Sequence, residues 1–144
     1  MNFVSRQEFL KLLGVVPLTP LVHASAEQRA STRKVYLIRL PIAGFYYHDG
    51  MDDEIFESLA LGDELELRRE PENPHDANAI AVYTQYGHKL GYVPMVENPI
   101  PAAIADQNVA IGAEICALEA ASEDYPPVMM RLYMIIPDAS PKDS

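Results

Sequence analysis

The segment Asp63-Glu64-Leu65-Glu66-Leu67-Arg68-Arg69-Glu70 alternates charged and apolar side chains at period two, the mark of a strand with one face in a core and the other in water. It runs directly into Pro71-Glu72-Asn73-Pro74-His75-Asp76-Ala77-Asn78, a stretch dense in turn formers, and then into the strand-like Ala79-Ile80-Ala81-Val82-Tyr83-Thr84. Strand, turn and strand in succession commit this part of the chain to antiparallel pairing. The same rhythm holds on either side. Lys34 to Leu40 reads as a first strand, with Pro41 placing its end on an edge or at a bulge. Lys89-Leu90-Gly91-Tyr92-Val93 returns across Tyr86-Gly87-His88 as a hairpin, in which Gly91 permits close backbone approach and Tyr92 packs. Ala113 to Leu118 and Val128 to Ile136 give two closing strands, with Met129, Met130 and Met134 as packing residues.

Two short helices interrupt this pattern. Asp52 to Leu59 is acidic at its start and apolar at Ile55, Phe56 and Leu59, with Gly62 to end it. Asn98 and Pro99 supply a cap and a first-turn proline, predicting a helix from Ile100 to about Gln107. Five to six strands with two short helices, in a chain of 144 residues with room for one domain, predict a mainly β fold: a small, partly open barrel over residues 33–136. The lone Cys116 excludes an internal disulfide and reads as a small buried residue.

The two ends differ from this body. Residues 1–26 carry only Arg6, Glu8 and Lys11 as charges around an apolar run, and end in Ala24-Ser25-Ala26, which matches a cleavable export signal. Ser5-Arg6-Gln7-Glu8-Phe9-Leu10-Lys11 resembles a twin-arginine motif in which Gln7 replaces the second arginine, so general secretion and a decayed signal stay open. So does a short amphipathic helix in a cytoplasmic protein. The apolar run is too short for a stable membrane span. The polar tail, residues 137–144, reads as disordered.

Charge limits the partners. With 11 Lys and Arg against 21 Asp and Glu, the net charge is −10, which repels polyanions and predicts poor sequence-independent duplex binding unless the few basic residues converge in one groove. No nucleophile elbow, glycine-rich phosphate loop or catalytic carboxylate pair is present, so the chain reads as a non-enzyme. His48, His75 and His88 with Asp49 and Asp76 lack the spacing of a known metal motif, and neither metal nor cofactor is implied.

Several motifs in fixed order point further: Gly44-Phe45-Tyr46-Tyr47, Gly62-Asp63-x-Leu65-x-Leu67, Arg69-Glu70-Pro71-x-Asn73-Pro74-His75-Asp76-x-Asn78-Ala79-Ile80-Ala81-Val82, and Lys89-Leu90-Gly91-Tyr92-Val93-Pro94-x-x-Glu97-Asn98. Together, from about Val35 to Leu118, they resemble the HIRAN domain family. The resemblance implies an OB-like barrel and, by similarity to the helicase-borne members, a reader of single-stranded DNA 3′ ends. Carried over residue by residue, Tyr46 would stack on a terminal base, His75 would take the place of a second stacking aromatic, and Asp76 would accept a hydrogen bond from the 3′-hydroxyl. Asn73, Tyr92 and Lys89 complete the implied DNA-end site, with Phe45, Tyr47 and Met95 as groove wall. Phe45 and Met95 stand where the helicase-type members have basic residues, which leaves Lys89, Arg68 and Arg69 as phosphate contacts.

Alternatives remain at this level. Asn73 and Asp76 can serve as turn residues bonding their own backbone, a role that coexists with binding. Along an extended segment one of Tyr46 and Tyr47 faces inward; Tyr47 in the core and Tyr46 outside is the expected arrangement, with the reverse open. A second function, an exported interaction domain whose groove meets a protein or envelope component, follows from the signal-like N-terminus and the acidic surface. Localisation accordingly stays divided between export and cytoplasm.

Overall fold

A computed structural model describes residues 31–119 and 126–139. The signal-like segment 1–26 and most of the polar tail lie outside the described residues. Six antiparallel strands form one sheet: β1 (Thr32–Pro41), β2 (Glu64–Arg69), β3 (Ile80–Thr84), β4 (Lys89–Tyr92), β5 (Ile111–Leu118) and β6 (Val128–Pro137), in the order β1-β6-β5-β2-β3-β4. The expected β architecture is present, and the sheet is not closed into a barrel. The edge strands β1 and β4 do not pair. A single bridge, Ala43 N–H to Tyr92 O (2.8 Å) and Tyr92 N–H to Ala43 O (2.9 Å), ties the segment after β1 to the end of β4.

Alternation sorts the core. Leu65 on β2 and Met130 and Leu132 on β6 are buried, while Glu66, Arg68 and Arg131 face water. β3 lies between β2 and β4, and Ile80, Ala81 and Val82 are all fully buried. Register shifts by one residue at Leu37, Leu90 and Cys116, and such bulges bend a strand locally. Cys116 is therefore only half-buried, its thiol reaching the Met129 carbonyl at 3.5 Å.

Two expectations are corrected before the first helix. The segment after Gly44 is not extended: Gly44 takes φ +70°, and Phe45–Tyr47 form a single 3-10 turn, followed by another at Asp49–Met51. Phe45 then enters the core, packing edge-on to Phe56 at 6.2 Å, while Tyr46 is half-exposed and Tyr47 is 89% exposed. Gly50 makes room for it, since a Cβ there would lie 2.4 Å from the Phe45 ring. So it is Phe45, not Tyr47, that occupies the core.

Helix α1 (Asp53–Ser58) is capped by Asp52, whose Oδ1 accepts from the Glu54 and Ile55 amides at 3.0 and 3.3 Å. It stops before Gly62, which instead supplies φ +85° in the turn into β2. Helix α2 (Pro99–Asp106) begins at Pro99, but Asn98 makes no side-chain cap bond. Pro101 removes the N–H of the third helical position, and Asn98 is itself helical at φ −79° and ψ −19° where a capping residue is usually extended. Among the described residues no helix is long and apolar enough to cross a membrane.

Candidate functional site

The β2–β3 connection is held from both ends. At the end of β2, Arg69 donates to the carbonyls of Ala79 (2.8 Å) and Ala77 (3.0 Å), and its Nε and Nη2 meet both carboxylate oxygens of Asp106 on α2 at 2.8 and 3.0 Å. That fork geometry is specific to Arg, and it fastens the loop to the helix. Within the loop, Asn73 Oδ1 accepts from the His75 amide (2.9 Å) and Asp76 Oδ1 from the Asn78 amide (2.9 Å). Both are the local side-chain turns expected of these residues.

The remaining polar ends converge on neighbours. Asn73 Nδ2 donates to Glu70 Oε1 (3.1 Å), which also accepts from the Tyr92 hydroxyl (2.9 Å), while Lys89 Nζ donates to that hydroxyl (2.6 Å). Burial pushes the Glu70 carboxyl up, but hydrogen bonds from Asn73 and Tyr92 and the Lys89 charge outweigh it and hold the carboxyl below its ordinary 4.5. For Lys89, burial works downward, and the Tyr92 bond and Glu70 charge raise the ammonium above its ordinary 10.5. Asp76 Oδ2 accepts from Asn98 Nδ2 at 2.6 Å. Asn98 itself is 1% exposed.

These contacts shape a cleft of about 270 Å³ lined by Ala43, Asn73, His75, Asp76, Ala79, Tyr92, Val93, Met95 and Asn98. Five sequence-derived site residues thus come together: Asn73, His75, Asp76, Tyr92 and Met95. Phe45 is buried elsewhere, and Tyr47 projects into solvent. Tyr46 does not line the cleft, although it follows Ala43 by three residues and packs edge-on to Phe45 at 6.4 Å. Lys89 stands behind the wall and is spent on Tyr92 and Glu70.

The expected phosphate contacts are already paired. Arg68 bonds Glu66 at 2.8 Å and covers the Tyr83 ring at 4.0 Å, Arg69 is clamped to Asp106, and Lys89 lies 3.5 Å from Glu70. Among the described residues, no lysine or arginine lines the cleft.

Sequence reasoning missed Asn98 and Glu70. Glu70 stands in the motif that runs from Arg69 to Val82, but nothing near it in sequence announces Tyr92 and Lys89 as its partners. Asn98 did carry a signal: the proline at the third position of its helix removes one of the two amides that a cap side chain can bond.

The fold has known counterparts. The HIRAN domain family model matches residues 35–135. The chain belongs to the HIRAN domain family. Two solved structures are similar: a protein from Lactobacillus plantarum, 26% identical with a TM-score of 0.64 over 73% of this chain and 98% of that one, and the HIRAN domain of human HLTF, 19% identical with a TM-score of 0.55 over 73% and 81%. No curated protein matches the chain. HIRAN domains are nucleic-acid-binding modules rather than catalytic ones.

Proposed function

We propose that this HIRAN domain binds the 3′ end of single-stranded DNA, with the terminal sugar hydroxyl at Asp76 and bases stacked on His75 and Tyr46. The observation that carries the reading is a carboxylate oriented by two donors, the Asn78 amide and Asn98 Nδ2, in a cleft that no lysine or arginine among the described residues lines. Such a group accepts a free hydroxyl and repels a phosphate. The cleft is somewhat smaller than the range of about 300–1,000 Å³ usual for drug-sized ligands, which suits one terminal sugar and excludes a duplex. His75 is exposed at its lip and Tyr46 is exposed beyond Ala43. Stacking on such faces contributes roughly 1–3 kcal/mol per base without sequence preference.

The test is fluorescence anisotropy of short labelled strands ending in a 3′-hydroxyl or a 3′-phosphate. Hydrogen bonds to charged groups contribute about 1.5–3 kcal/mol, so the hydroxyl end should bind at least about tenfold more tightly. Asp76→Asn should erase most of that difference. Equal binding of both ends by the unaltered protein refutes the reading.

A second reading, a protein segment in the same cleft, draws on the exposed apolar rim of Met95, Val96 and Ile100. It gains if no oligonucleotide saturates binding at low salt.

A further inference from the structure

We infer that His48 is the pH-gated phosphate contact of the cleft: once protonated, it holds the last internucleotide phosphate of a strand whose terminal sugar sits at Asp76. The inference rests on the 3′-end reading above and adds what governs its strength. His48 follows the Phe45–Tyr47 turn and lies over Gly44, with Cε1 3.5 Å from where a Gly44 Cβ would stand. Its ring also meets the Tyr92 ring edge-on, at 5.7 Å between centroids. Tyr92 is a wall of the cleft, and Gly44 lies between the wall residue Ala43 and the exposed Tyr46. The imidazole therefore stands where a strand would leave the cleft on its way to Tyr46.

The two ring nitrogens differ. Nδ1 lies 2.7 Å from the Gly44 carbonyl oxygen, and since a carbonyl only accepts, Nδ1 carries the proton. Nε2 is an acceptor in the neutral ring and becomes a second donor when the ring is protonated. His48 is half-buried, so part of the side chain meets solvent. The titratable groups of the elements packed on it are Tyr46, Tyr47 and Asp49 on its own two turns, Lys89 and Tyr92 on β4, and Glu70 at the Tyr92 hydroxyl. Asp49 Oδ2 accepts from the Lys89 amide at 3.1 Å, and Lys89 and Glu70 pair at 3.5 Å. Among the described residues His48 itself makes no ion pair. A strand end seated at Asp76 brings a phosphate to this rim, where Arg68, Arg69 and Lys89 already have carboxylate partners. A protonated His48 offers that phosphate a charge-assisted donor. His75, the other imidazole of the cleft, adjoins Asp76 and offers its face to a base.

The experiment is fluorescence anisotropy of the full chain with single DNA strands that carry a pH-insensitive label and a free 3′-hydroxyl, at about pH 8 and about pH 6, the interval over which imidazole gains charge. Binding should be about two- to fivefold tighter at the lower pH, the range of an exposed ion pair. The slope of log K against log salt should steepen by about 0.7, the increment of one phosphate contact on a single strand. His48→Asn, which keeps a donor for the Gly44 carbonyl but takes up no proton, should bind equally at both pH values. His75→Phe, which keeps a stacking face, should retain the pH effect. On the unaltered chain, an uncharged methylphosphonate at the last linkage should abolish the effect, and one placed further upstream should not. Equal binding at both pH values overturns this inference, as does a pH effect that survives His48→Asn or the methylphosphonate at the last linkage, or that disappears with His75→Phe; 3′-end reading stands in each case if a 3′-phosphate is still rejected. Loss of discrimination between 3′-hydroxyl and 3′-phosphate overturns both. The methylphosphonate comparison decides the matter even if His48→Asn does not fold.

Discussion

Replacing Gly91 by alanine should unseat the joint that shapes the cleft. Gly91 has φ +147°, a conformation L residues rarely adopt, and an added Cβ would lie 2.3 Å from the Ala43 carbonyl oxygen and 2.8 Å from Ile42 Cγ2. The oxygen belongs to backbone that is itself bonded to Tyr92, so it can retreat only by opening the Ala43–Tyr92 bridge. Losing those two hydrogen bonds costs about 2 kcal/mol and the imposed backbone conformation about 1–3 kcal/mol more, roughly 3–5 kcal/mol together. For a domain of this size that lowers Tm by about 12–20 °C. Gly62→Ala is the control. Its φ is also positive, at +85°, but nothing lies within 4 Å of the added carbon, so it should cost only about 1 kcal/mol and about 4 °C. Thermal melts of both variants check the difference. Equal shifts would refute the claim that close approach, rather than backbone conformation alone, demands glycine at Gly91. Since Ala43 and Tyr92 both line the cleft, Gly91→Ala should also weaken oligonucleotide binding at temperatures where it remains folded.

Two further expectations concern electrostatics. Because the Glu70 carboxyl is held below its ordinary 4.5, its bonds to Asn73 and Tyr92 stabilise the fold fully above that value and are lost as pH falls through the lowered one; Glu70→Gln should flatten the corresponding acid limb of stability measured by denaturant titration, and an unchanged limb would count against the network. With Arg68, Arg69 and Lys89 paired and no lysine or arginine among the described residues lining the cleft, the site should contact no more than about two phosphates, so the slope of log K against log salt should be shallower than about −1.5. A slope steeper than about −4 in a salt series would show a backbone-binding surface elsewhere.

Much of the site loop was legible because its chemistry is local. Asn73 and Asp76 bond amides two residues ahead, which their short side chains do wherever the backbone turns, and this brings His75 and Asp76 to one cleft in any fold that closes the β2–β3 connection. The aromatic segment was not legible in the same way. Alternation predicts Tyr47 inside, but Gly44 turns the chain and a 3-10 turn directs Phe45 into space that Gly50 leaves open beside Phe56. The pairing of the basic residues was hidden for a related reason, since nothing adjacent to Arg69 in sequence announces Asp106 as its partner.

Sequence alone determined the strands and the turn-rich loop, because side-chain period and turn chemistry are properties of neighbouring residues. Tertiary structure decided the partners: Asn98 with Asp76, 22 residues apart, and Arg69 with Asp106, 37 apart. A pattern of period two says which face a side chain occupies, but only the packed sheet brings a spare amide from before α2 to the carboxylate of a distant turn. That meeting makes the residue before a helix part of the cleft wall.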